Sequence, residues 1–146
     1  MLFRSRLDLL RAAGAASAQF LVLAIDDVEA STRTAVVVRE QFPHLKIFAR
    51  ARNRQHAFAL MDAGVKNVIR ETYGSSLEMA AAVLEALGEP AAHVSEVVRR
   101  FREHDEATLL AQYAVKEDDA KFLATSREAA EQLEKLFEAD RSSKVE

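Results

Sequence analysis

Three short apolar runs, Phe20-Leu21-Val22-Leu23-Ala24-Ile25, Leu45-Lys46-Ile47-Phe48-Ala49 and Val65 to Ile69, are separated by stretches with helical spacing. Strands separated by about ten to fifteen helical residues are joined by crossovers, so the pattern demands βαβ units and a parallel sheet. The first run shows no polar alternation, the mark of a strand covered on both faces, and it is expected to be an inner strand. Asp26 and Asp27 suit the N-cap of a helix that runs through Ala30, Thr34, Val37 and Val38 to Phe42, where Pro43 ends it. The next helix runs from about Arg54 to Ala63, with Gly64 at its end, and a short helix around Leu7 and Leu10 closes at Gly14.

Beyond the third strand the pattern is helical throughout. Ser75 and Ser76 are expected caps for a stripe of Leu77, Ala80, Ala81, Leu84 and Leu87, which Gly88 terminates. Pro90 suits the first turn of a helix whose Val94, Val97, Val98 and Phe101 share a face and which reaches Tyr113. A last helix, about Asp118 to Ala139, sets Phe122, Ala129, Leu133 and Leu136 at near-heptad spacing, the pattern of a packed hairpin or an intersubunit helix. The expected division is an α/β segment over 1–72, a helical region over 73–140 and a frayed polar tail over 141–146.

Composition narrows the chemistry. With no cysteine in 146 residues, a disulfide framework, a thiolate metal site and a cysteine nucleophile are excluded. A formal net charge of -3 supplies no bulk attraction to nucleic acid or to an anionic bilayer. No apolar run approaches the roughly 20 residues of a membrane-spanning helix, and the start lacks the apolar core of a signal peptide. His44, His56, His93 and His104 form no zinc-binding pair, and no nucleophile elbow occurs. Around His104, the acids Glu103, Asp105 and Glu106 read as a solvated helix face. The expectation is a protein that is not an enzyme.

A parallel α/β sheet binds ligands at the carboxyl ends of its strands. Here those ends carry Ala24-Ile25-Asp26-Asp27, Ala49-Arg50-Ala51-Arg52 and Ile69-Arg70-Glu71-Thr72. Arg50, Arg52 and Arg70 are fixed cations near helix N-termini and together can hold a carboxylate or phosphate. Each can equally pair with a neighbouring acid, Arg50 or Arg52 with Asp26 or Asp27, and Arg70 with Glu71 or a helical acid. Asp26 and Asp27 can face a nucleotide ribose or simply cap the following helix. The scattered glycines Gly14, Gly64, Gly74 and Gly88 build no phosphate loop, so this chain alone is expected to hold no nucleotide firmly.

Several segments resemble a known family. Ser5-Arg6-Leu7-Asp8-Leu9-Leu10-Arg11-Ala12-Ala13-Gly14-Ala15, Ala24-Ile25-Asp26-Asp27, Phe42 to Arg52, Ala63-Gly64-Val65 and Arg70-Glu71-Thr72 look like the cytoplasmic regulatory (RCK/KTN) domain of glutathione-gated, Kef-type potassium efflux antiporters. The resemblance implies the second half of a Rossmann-like parallel sheet, three strands with flanking helices, followed by C-terminal helices. It further implies a homodimer through those helices, a membrane antiporter domain as partner, and a site at the cytoplasmic face of the inner membrane. Reduced glutathione between subunits would keep the pore closed, and its adducts would open it. By motif position Arg70 matches a glutathione-contacting arginine, and Asp105 a polar contact from the partner subunit. Ala24, Asp26 and Asp27 lie where the family strand approaches its nucleotide, NAD or AMP in the full domain, and Arg50 and Arg52 belong to the nearby edge. The family's Gly-rich first half has no counterpart here, so the chain resembles a fragment with the edge of its first strand open, expected to be marginally stable or oligomeric. A stand-alone dimeric α/β interaction module without a small-molecule ligand is the alternative. An oxidoreductase shares the fold analogy but would need a phosphate loop and a proton-transfer residue.

Overall fold

In chain order the elements are α1 (Leu2–Ala12), β1 (Phe20–Leu23), α2 (Val28–Gln41), β2 (Lys46–Ala51), α3 (Arg54–Asp62), β3 (Asn67–Arg70), α4 (Tyr73–Ala86), α5 (Ala91–Ala114) and α6 (Asp119–Ser142). They come from a computed structural model, which describes residues 2–142, with side chains from 7 to 140. The chain divides into two compact units, one up to Gly74 and one from Ser75.

The first unit is a three-stranded parallel sheet in the order β1-β2-β3. Leu21 pairs with Ile47 and Leu23 with Ala49, while Ala49 pairs with Val68 and Ala51 with Arg70. Alternation along each strand sends Leu21, Leu23, Ile47, Ala49, Ala51 and Val68 to one face, where they pack with Ala35 and Val38 of α2, Ala57 and Leu60 of α3, and Leu7 and Leu10 of α1. Gly14 and Gly64, at φ +86° and +80°, end α1 and α3 as expected. In the second of these turns Val65 N–H donates to the Leu60 carbonyl (3.0 Å) and Gly64 N–H to that of Met61 (2.9 Å), the paired bonds of a Schellman motif. Its accompanying apolar contact, Leu60 with Val65, belongs to the core.

The opposite face of the sheet corrects the expectation of an inner strand. β1 lies at the edge, and Phe20, Val22 and Ile69 are 54%, 75% and 65% exposed. Phe20 and Phe48 meet across the strands at 6.0 Å between ring centroids, and the Lys46 ammonium lies 5.9 Å from the Phe20 ring. The unalternating run Phe20 to Ile25 has the composition of a two-sided strand, but among the described residues the core is packed on one face only. An apolar run states what a strand can bury. It does not state which residues bury it.

Strand limits also differ from the sequence reading. β2 continues to Ala51 and β3 to Arg70, one or two residues past the expected runs, so Arg50 and Arg70, expected at the strand ends, are paired within the ladder.

The second unit is helical. α4 begins at Tyr73, so Ser75 and Ser76 lie inside its first turns and are not its caps. Pro90 stands at the N-cap of α5, not in its first turn, and makes no side-chain cap bond. α5 and α6 form the hairpin the heptad spacing suggested, tied by Gln112 donating to Ser126 Oγ (3.0 Å) and by Arg100 donating to Asp140 Oδ1 (2.8 Å). Asp118 caps α6 by accepting the Lys121 N–H at 3.0 Å, which pulls its carboxyl below the usual range. On the wet side of α5, hydrogen bonds from Arg99 and Arg100 hold Glu96 down to about 2. Arg141 and Ser142 continue α6, contrary to the expected tail, and 143–146 lie outside the described residues. No helix among the described residues is long and apolar enough to cross a membrane.

Candidate functional site

The carboxyl edge of the sheet gathers most of the residues singled out from the sequence. Asp27 caps α2, its Oδ1 accepting the Ala30 N–H at 2.6 Å, which satisfies one of the orphan donors of the first turn. Asp26, one residue earlier, is ion-paired to Arg50 across the β1–β2 boundary. Arg50 also donates to the Ala24 carbonyl at 3.1 Å, so Ala24 contributes its backbone to the edge. Glu71 reaches back from the end of β3, with Oε1 3.6 Å from Arg50 Nη1 and Oε2 3.8 Å from Arg52 Nε. Its own N–H donates to the Ala51 carbonyl at 2.8 Å, which fixes the direction from which it approaches. Of the two partners the sequence offered Arg70, Glu71 or a helical acid, Glu71 turns instead to Arg50 and Arg52.

Arg70 stands apart from this cluster. Register sets Arg50 opposite Ile69 on the open face, whereas Arg70 shares the parity of Val68 on the covered face. Its guanidinium stacks on the Tyr73 ring with 3.9 Å to the centroid. The three arginines therefore do not form one cationic cluster, which corrects the expectation of a single pocket with three cations. Asp105 lies on α5, in the second unit.

An open pocket of about 670 Å³ lies beside the cluster, lined by Asp26, Asp27, Val28, Glu29, Thr32 and Arg52. Arg52 is its cationic lining residue, and its Nη1 lies 3.5 Å from the Asp26 carbonyl oxygen. Carboxylates and a threonine hydroxyl accept or exchange hydrogen bonds with hydroxyl groups, and a guanidinium takes phosphate or carboxylate through paired donors. The lining thus suits a ligand with hydroxyls at one end and an anionic group at the other. Glu29 and Thr32 were missed in the sequence. They follow the capping aspartates at helical spacing, so the signal lay in the pattern but nothing marked its chemistry.

Comparison with known proteins divides the chain at the same place. Residues 4–71 match the TrkA-N domain and residues 75–146 the potassium efflux system KefB C-terminal domain. A solved structure described as the Shewanella denitrificans Kef CTD in AMP bound form is 36% identical, with a TM-score of 0.73, over 75% of this chain and 69% of that one. The chain belongs to the Kef family of potassium-efflux regulatory domains. Relatives include the glutathione-regulated potassium-efflux system protein KefC of Escherichia fergusonii, 40% identical over 120 residues, and that of Escherichia coli O157:H7, 39% identical over the same length. Each match covers 80% of this Kef chain and 19% of the relative, so the chain spans about a fifth of the curated relatives it matches. The Rossmann-like fold expected from the resemblance is therefore that of the family.

Proposed function

We propose that this Kef chain is the ligand-sensing segment of a potassium:proton antiporter, controlling potassium efflux in response to glutathione or its adducts at the cytoplasmic face of the inner membrane. The observation that carries the reading is the pocket at the carboxyl edge, with its carboxylate lining and one arginine, in a chain of this family. Asp26 and Glu71 hold Arg50 and Arg52 through partly exposed pairs, each worth about 0–1 kcal/mol, so a ligand can exchange with them at little cost. A nucleotide such as AMP or NAD places its ribose hydroxyls on Asp26 and Asp27 and a phosphate on Arg52. Without a Gly-rich loop the affinity of this chain alone is low.

Glutathione offers carboxylates to Arg70. A planar guanidinium fork recognises a carboxylate through paired donors. Asp105 supplies a polar contact from a second subunit. The helical unit provides the surface for that pairing: α4 exposes Met79 and Val83, Leu87 is exposed just beyond its end, and α4, α5 and α6 line an apolar groove of about 960 Å³. Two copies packed there form a homodimer whose helices transmit ligand binding to the membrane domain.

The test is a titration of this chain with reduced glutathione followed by heteronuclear NMR. Shifts centred on Arg70 that disappear in Arg70→Ala are expected. Absence of any response at about 10 mM glutathione overturns ligand sensing and favours the interaction module, for which the apolar groove is the argument.

A further inference from the structure

His56 is buried, with 1% of its surface exposed, as the third residue of α3. Its Nδ1 accepts the backbone N–H of Arg52 at 3.1 Å, and its own N–H donates to Asn53 Oδ1 at 2.8 Å. The bonds form a shifted relative of the capping box: the N-cap Asn53 accepts the backbone N–H of His56 as usual, but the imidazole accepts the N–H of Arg52, one residue before the N-cap, instead of that of the N-cap itself. An acceptor at Nδ1 leaves the ring proton on Nε2, which is buried and has no hydrogen-bond partner. An unmet buried donor costs about 1–3 kcal/mol, so an apolar or flexible residue at this position would avoid a penalty that the histidine incurs. What the ring holds in return is the peptide of Arg52, the arginine lining the edge pocket.

We infer that His56 is a positioning residue for Arg52: the neutral ring fixes the peptide at the β2–α3 corner and so directs the guanidinium to the pocket, and protonation of the ring releases it. The inference rests on the pocket's reading as a nucleotide site. Protonated Nδ1 is a donor, which cannot face the Arg52 N–H. Among the described residues the charge that acts on the ring is the Arg52 cation, which opposes protonation. α2 turns Ala30, Ser31, Ala35 and Val38 inward and β2 turns Ile47, Ala49 and Ala51, none of them ionisable. β3 puts Arg70 on the covered face, and α3 itself carries Arg54 and Asp62. Burial first, and then the Arg52 charge, push the His56 pKa below its ordinary 6.5. The unfolded chain therefore takes up this proton before the folded chain does. The ring's contribution to stability is full above pH about 6.5 and is lost as the pH falls below that value.

The experiment follows the Arg52 amide and the His56 ring nitrogens by NMR across pH 4 to 8 (about four units, spanning the histidine range), with AMP as the binding probe. The Arg52 amide is expected to move in step with the His56 titration, and AMP affinity to fall over the same range. AMP itself takes up a proton near pH 6, so the deciding quantity is the difference from His56→Gln, which keeps an acceptor but does not titrate. His56→Gln should stay within about twofold of the parent affinity at pH 7.5 and lose the histidine-linked part of the profile, whereas His56→Leu should weaken AMP about tenfold, a loss on the scale of one hydrogen bond. An Arg52 amide indifferent to His56 ionisation, or a His56→Gln profile equal to the parent's, overturns the inference. If AMP fails to bind at all, the nucleotide reading of the pocket falls, while the coupling of Arg52 to His56 is still decided by the amide.

Discussion

Replacing Glu71 with glutamine tests the electrostatics of the edge pocket. Around Arg50 and Arg52 stand Asp26, Asp27, Glu29 and Glu71, and Glu29 is itself ion-paired to Arg33, so three cations face four carboxylates and the acids oppose the phosphate that Arg52 attracts. Glu71 Oε2 lies 3.8 Å from Arg52 Nε, and a phosphate oxygen accepting from Arg52 adds about 3 Å, which puts the phosphate about 7 Å from the carboxylate. For a phosphate of about two negative charges in water, Coulomb's law gives a repulsion of about 1.2 kcal/mol. Screening at 0.15 M salt, with a Debye length of about 8 Å, reduces it to about 0.5 kcal/mol. Glu71→Gln should therefore bind AMP about sevenfold more tightly at low salt and about twofold at 0.15 M, whatever the absolute affinity of the parent chain. Calorimetric titration at both salt concentrations measures this. Weaker binding in the variant, or a gain indifferent to salt, would refute the charge argument and show that Glu71 chiefly holds the arginines in place.

Asp27→Ala removes the oxygen that accepts the Ala30 N–H and should cost about 1 kcal/mol in urea unfolding, with Asp27→Asn recovering most of it. Leu60→Ala, at a fully buried position that also anchors the Schellman turn, should cost about 3 kcal/mol or more in the same assay; a cost below 1 kcal/mol would mean that α3 is not seated on the sheet as described. Val22→Lys, on the open face of β1, should change stability by less than about 0.5 kcal/mol and reduce self-association in sedimentation velocity. A large destabilisation there would show that the face is covered in solution.

Much of the fold was legible because it follows from local chemistry. Apolar runs at strand length, capping by Asp27, the stop at Pro43 and the left-handed glycines at 14, 64 and 88 each act within a few residues, and each element appeared near its expected place. The family likeness, carried by the same segments, was legible too. Site residues were legible as a set, since carboxyl ends of parallel strands must share an edge. Their partners were not, because pairing depends on register and parity that no single segment contains.

The sequence by itself determined the succession of strands and helices, the parallel arrangement, and the presence of charged groups at the ligand-binding edge. Only the tertiary structure decided that Glu71 sits between Arg50 and Arg52, that Arg70 turns to the other face and stacks on Tyr73, and that His56 holds the peptide of Arg52. The reason is geometric. Side chains alternate at every strand residue, so which groups meet depends on the pairing of two strands, a relation between distant segments that is settled only when both pack their apolar faces on the same core.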